Sequence, residues 1–186
     1  MARKTVLAAG LVVAAALTLS GCGRTGVAAS VDGRKITVDR LQSAVASLRA
    51  ADKQAFGSVT DSQVLQVFLY GSYAEHAASV AGKGISDDEV RQAVAAAAAQ
   101  NNDKTSHPDR LNAAALEALR GNLAFSQLDN TVKQDILKQL QSAHVTVSPR
   151  YGTFDRTNGS ITAPSPNWLQ KPSPTPSATA SPSATG

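Results

Sequence analysis

The chain has 186 residues, of which 42% are hydrophobic, with a single cysteine and a formal charge of +4. One cysteine excludes an internal disulfide framework. The 18 basic and 14 acidic residues are scattered and form no basic stripe, which argues against a nucleic-acid partner.

Arg3 and Lys4 open the chain, an apolar run from Val6 to Leu19 follows, and small residues lead to Cys22. The run is short for a bilayer span, and the order is that of an export signal. Leu19-Ser20-Gly21-Cys22 resembles the lipobox of bacterial lipoproteins. The resemblance implies cleavage before Cys22, a thioether-linked diacylglycerol on it, and usually a further acyl chain on the new amino terminus. Residues 1–21 are then a signal peptide and 22–26 a tether holding the protein at the outer face of the cell membrane. Two or more acyl chains anchor stably where one is marginal. Without Arg3 and Lys4, 16 basic and 14 acidic residues remain. With Cys22 lipidated, the folded part has no thiol, so its stability comes from a core that roughly 130 residues are enough to build.

From Val27 to Ile36 the pattern predicts a strand, an Asp32-Gly33 turn and a return strand. Thr37 caps a helix to about Leu48, with Ile36 and Leu41 as a hydrophobic staple. After a loop at Phe56-Gly57, Thr60 and Gln63 form a capping box for a helix to about Ala81 that Gly82 and Gly84 end. Val64, Leu65, Val67, Phe68, Leu69, Tyr70 and Tyr73 cover most of its first half, which marks a central helix. Ser86 with Glu89, and Ile85 with Val90, start the next helix, whose Ala95–Ala99 block makes it thin and peripheral down to Asn101-Asn102. Beyond Pro108, apolar residues from Leu116 to Leu140 recur three or four apart. They predict one long helix or two collinear ones to about Ser142, with possible kinks at Gly121 and Asp129-Asn130. Val145-Thr146-Val147 alternates like a strand and should pair with Val27–Val31, because neither can leave its backbone groups unpaired. Tyr151 and Phe154 follow in extended chain. The folded domain is placed at residues 27–155, with a disordered tail rich in Pro, Ser and Thr over 156–186. Within the tail, Trp168 and Leu169 either face solvent, pack back on the domain or meet a partner. The fold class is mainly α with a small sheet joining the two ends of the domain.

The order of Val31-Asp32-Gly33-Arg34-Lys35-Ile36-Thr37, a helix, a long apolar helix and then Gly84-Ile85-Ser86-Asp87-Asp88-Glu89-Val90 resembles the N-terminal chaperone domain of the SurA family, shared with PrsA-type foldases. That family reads Val-Asn-Gly-x-x-Ile-Thr at the first position and Gly-x-x-Val-Thr/Ser-Asp-Glu-Glu-Val at the second. Val145–Asp155 also looks like the closing strand of small actinobacterial lipoproteins of this kind. The resemblance implies a helical domain that binds unfolded or extracytoplasmic client chains. The parvulin motifs that carry prolyl isomerisation in the family, Ala-x-His-Ile-Leu and Gly-Gly-Asp-Leu-Gly, are absent from the sequence.

His76, His107 and His144 fall on different elements without metal-ligand spacing, so no metal site is expected. His76 is expected to be partly buried beside Leu65 and Leu69 and bonded to a backbone carbonyl. Asp87, Asp88 and Glu89 sit in the first turn of a helix, where its dipole favours carboxylates. No Gly-x-Ser-x-Gly elbow and no phosphate loop occurs, which leaves no catalytic residue, cofactor or small-molecule substrate to name. Phe68, Leu69, Tyr70 and Tyr73 read first as core. If exposed together they would make a surface for extended apolar peptides. The expected function is a lipid-anchored, non-catalytic chaperone or assembly factor for client proteins. The rival is an envelope adaptor that docks one folded partner.

Overall fold

The computed structural model describes residues 26–164. The expected signal peptide, Cys22 and the Trp168-Leu169 pair lie outside the described residues. Strands β1 (Val27–Val31) and β2 (Arg34–Thr37) flank Asp32 and Gly33, at φ 48° and 80°. Both turn residues are left-handed, as a two-residue turn with the twist of its strands requires, and Asp and Gly tolerate that region. Strand β3 (Val145–Val147) lies antiparallel on the other side of β1, with Val31 opposite Val145 and Ala29 opposite Val147, in the order β2-β1-β3. The two ends of the helical body therefore meet, as the lone apolar strands demanded. Asp32 fastens the junction. Its N–H donates to the His144 carbonyl at 3.1 Å, and its carboxylate accepts from the His144 N–H at 2.8 Å.

Thr37 caps α1 (Val38–Ala51) by accepting from the Arg40 N–H. The expected loop at Phe56 contains a short helix, α2 (Lys53–Phe56), because Asp52 accepts from the Ala55 N–H at 2.7 Å. Helix α3 (Asp61–Val80) has both halves of the Thr60–Gln63 box, and it packs against α1, β1 and three elements described below. Helix α4 (Asp87–Gln100) buries Val90, Val94 and Ala98, one turn apart, and leaves Ala95, Ala96, Ala97 and Ala99 exposed. It is peripheral, as its alanine content suggested.

The last helical stretch is two helices, α5 (Ala113–Gln127) and α6 (Asn130–Ser142). Leu128 and Asp129 between them are extended, with ψ 151° and 154°, and Leu128 is buried at the break. Gly121 does not break α5. A Cβ there would lie 2.7 Å from the Gly71 Cα, so this glycine exists to let α5 touch α3 backbone to backbone.

Past Tyr151 the chain does more than run extended. Strands β4 (Thr153–Asp155) and β5 (Ser160–Thr162) pair as a second sheet, which carries the domain beyond the boundary expected at Asp155. Three-residue strands around a polar four-residue loop give almost no sequence signal. They are held by Gln66 on α3, which donates to the Gly159 carbonyl at 2.9 Å and accepts from the Ile161 N–H at 2.7 Å. Helix α3 is thus also packed by α5, α6 and β5.

The core has two parts. The main one joins the sheet to α1, α3, α4, α5 and α6 through residues such as Leu41, Leu65, Leu69, Val90 and Leu140. A smaller one at the far end of α3 holds Ala74, Ala78, Ala124, Leu128 and Ile136.

Candidate functional site

A cleft of about 210 Å³ opens beside the smaller core, lined by Glu75, Ala78 and Ser79 of α3, Gly84 and Ile85 of the α3–α4 connection, and Arg120 and Ala124 of α5. Its position follows from the small residues. Gly71 and Gly121 bring α3 and α5 into backbone contact, and Ala74, Ala78 and Ala124 beyond them are too small to fill the space between the helices and the connection. Ala78, Ala124 and Ile85 give the cleft apolar walls.

The rim is charged. Arg120 donates through Nε to Glu75 Oε2 at 3.2 Å and through Nη1 to Asp87 Oδ1 at 2.5 Å. Burial works against the Arg120 charge, but Glu75 and Asp87 more than offset it and hold the guanidinium above its ordinary pKa. Asp87 therefore does more than complement a helix dipole. Asp88 pairs with Arg91, and Glu89 accepts from the Ser86 N–H at 2.7 Å, completing the cap that the sequence announces. Val80, one residue past the cleft, is 77% exposed and is the large hydrophobic side chain most open to solvent among the described residues.

The four residues expected to be either core or peptide surface do not share a face. Phe68 and Leu69 are core, at 5% and 0% exposure, so a client cannot reach them. The Arg40 guanidinium lies 5.3 Å from the Phe68 ring centre and pairs with Glu117, closing that side. Tyr70 and Tyr73 are half-buried and their hydroxyls are engaged. Tyr70 donates to Asn122 at 3.0 Å and its ring lies 4.8 Å from Phe125, while Tyr73 donates to Asp32 at 2.8 Å. Burial, then the bond to Asp32, pushes the Tyr73 hydroxyl up to about 12. The His144 N–H, then the Tyr73 hydroxyl, holds the Asp32 carboxyl below its ordinary range. Tyr73 thus joins α3 to the turn of the sheet, and Tyr70 joins α3 to α5.

His76 is exposed, not partly buried. Beyond Gly71 the buried positions of α3 are Ala74 and Ala78, and His76 stands about half a turn from both, on the opposite face of the helix. His107 is exposed in the α4–α5 connection, and His144 is exposed beside Asp32. Among the described residues no three His, Cys, Asp or Glu side chains converge as an ion site, and no helix is long and apolar enough to cross a membrane.

The sequence reading missed Glu75, Arg120 and the alanine walls. A signal existed. Glu117 and Arg120 are the two charges on α5, and each is answered from another element, Glu117 by Arg40 and Arg120 by Glu75 and Asp87. The cleft is an open slot lined about equally by polar and apolar surface, the polar part coming from Glu75, Ser79 and Arg120. Comparison with family models, with curated proteins and with solved structures finds no match for this chain.

Proposed function

We propose that the protein is a lipid-tethered extracytoplasmic chaperone or assembly factor that holds extended client segments without catalysis, in line with the resemblance to SurA N-terminal domains. The observation that carries this reading is the α3–α5 cleft. Its volume of about 210 Å³ takes one or two apolar side chains, and the Arg120 rim keeps the surrounding surface wet. A client anchored by so few side chains is held weakly and released without an energy source. The cleft also lies toward the C-terminal end of α3. Ser62 near the other end donates to the Tyr151 carbonyl, beside the start of β1, and the span from Ser62 to Ala78 is about 24 Å. A chain anchored through Cys22 would thus carry the cleft on the side away from its anchor.

Suppression of aggregation of an unfolding protein, followed by light scattering, tests the activity. Ser79→Arg fills the cleft from an exposed rim position and should weaken suppression while leaving the melting temperature in place. No suppression by the wild-type chain at several-fold excess would overturn the chaperone reading. Capture of one stoichiometric folded partner, in place of many unrelated clients, would replace it with the adaptor.

A further inference from the structure

The α3–α4 connection that walls one side of the cleft is fastened at few points. Where α3 ends, the Gly82 N–H donates to the Ser79 carbonyl at 3.0 Å and the Lys83 N–H to the Ala78 carbonyl at 2.7 Å. Where α4 starts, the Ser86 N–H donates to Glu89 Oε2 at 2.7 Å inside the helix cap. Between these points, Gly84 and Ile85 make no hydrogen bond through their backbones among the described residues. From Ser79 to Glu89, Ile85 alone is partly buried, and its side chain packs against both parts of the core. A Cβ at Gly82 or at Gly84 would meet nothing within 4 Å, and Gly82 stands at φ 69°, so the chain leading to Ile85 turns without steric hindrance.

The second fastening is an ion pair. Arg120 of α5 reaches Asp87, the first residue of α4, at 2.5 Å, with 27% and 48% of the two side chains exposed. Its rupture strands no charge. Arg120 keeps Glu75 at 3.2 Å, and Asp87 stays in the first turn of α4, where the helix dipole favours a carboxylate. One apolar side chain and one half-exposed ion pair make a weak hold, of the kind that lets a segment open while the rest of a domain stays folded. Ile85 thus fills, from within the chain, the apolar place beside Ala78 and Ala124 that a client side chain would take. We propose that residues 83–86 are a gate over the cleft, with Ile85 as its plug and the Asp87–Arg120 pair as its latch, so that a client's apolar side chain enters where Ile85 lifts out. This deepens the client-holding reading given above and rests on it for the nature of the ligand, not for the opening itself. It also gives weak binding a further source, since a ligand that needs the open state has its affinity scaled down by the open fraction.

Isoleucine methyl NMR on the full chain reads the gate without any client. The isoleucines are Ile36, Ile85, Ile136 and Ile161, so the plug has its own signal. Relaxation dispersion, which detects exchange on the timescale of lid motions, should appear at Ile85 and be absent from Ile36 and Ile136, each 2% exposed in one of the two cores. Asp87→Asn should raise the open population about two- to fivefold, the worth of a half-exposed ion pair. Glu75→Gln, which removes the other partner of Arg120, should not raise it. Nile red, an uncharged dye that brightens in apolar surroundings, should gain affinity by the same factor in Asp87→Asn, and Ser79→Arg should remove that gain. No dispersion at Ile85, the same dispersion at Ile36 and Ile136, or a population that Asp87→Asn leaves unchanged would each overturn the gate. A gain in dye binding that survives Ser79→Arg would overturn it as the entry to this cleft. Aggregation suppression decides the other reading separately. A chain whose Ile85 exchanges but which suppresses nothing keeps the gate and loses the chaperone, and the converse result loses the gate alone.

Discussion

The two ends of α3 are built on different principles. Toward its N-terminal half, Leu65 and Leu69 meet Leu41, Val45, Leu140 and Tyr151 in a core of large side chains under the three-stranded sheet. Beyond Gly71 the same helix presents Ala74 and Ala78 to Ala124 of α5, with Leu128 and Ile136 behind them. Large side chains fill space and bury area, at roughly 25 cal/mol per Å² removed from water. Alanines bring helices together but leave a slot where nothing bulky enters. One end therefore buries the greater part of the large side chains, and the other leaves an open slot beside its smaller core.

Removal of the chain from Val145 onward would break this contrast most severely. Although no helix is lost, β3, Tyr151 and the Gln66-held hairpin all leave the large-residue end, and the cooperative thermal transition should disappear. A chain ending at Pro164 should melt near the full-length value. Equal midpoints for the two would show that the closing strand contributes nothing.

Next in size, Leu69→Ala opens a cavity in the large-residue core and should cost about 2–5 kcal/mol in denaturant unfolding. Ile85→Ala, at the half-buried wall of the cleft, should cost less than about 1.5 kcal/mol while enlarging the slot. A cost at Ile85 equal to that at Leu69 would mean that the cleft end is as tightly packed as the other.

Gly121→Ala tests the hinge between the two regimes. The added methyl meets the Gly71 backbone at 2.7 Å, which no side-chain rotation relieves, and overpacking of this kind costs about 1–3 kcal/mol. An unchanged midpoint would show that the helices separate freely there.

The smallest expected effects concern the charged junction at Asp32. Its pKa is lower in the folded state, so the stability it gives is complete above the ordinary carboxylate pKa of about 3.9 and is lost as pH falls through the folded value. Asp32→Asn keeps a residue that tolerates positive φ and should flatten the acid limb of a melting-temperature profile. Tyr73 has the opposite sign. Its raised pKa gives stability that is complete below about 10 and is lost as pH climbs through about 12, so Tyr73→Phe should flatten the alkaline limb. An acid limb unchanged by Asp32→Asn would remove Asp32 from the junction.

Local sequence was sufficient wherever a few adjacent residues set the backbone. Asp32-Gly33 dictates its turn through positive φ, and Thr60 with Gln63 and Ser86 with Glu89 satisfy helix-start donors within three residues. The period of the apolar residues marked α3 as central, and the need to pair the short apolar strand Val145–Val147 implied its place beside β1. The cleft is of another kind. It depends on where Glu75, Asp87 and Arg120 meet from three elements, on two glycines distant in sequence that let α3 and α5 touch, and on alanines whose smallness matters because of what stands opposite. The β4–β5 hairpin likewise exists because Gln66 reaches it from α3. The sequence by itself determined the Asp32-Gly33 turn, the caps and the starts of the long helices, because each is decided by neighbours along the chain. Tertiary structure decided which tyrosines were junction, which alanines were wall and where the last hairpin stood, because those depend on side chains that meet only when distant segments pack.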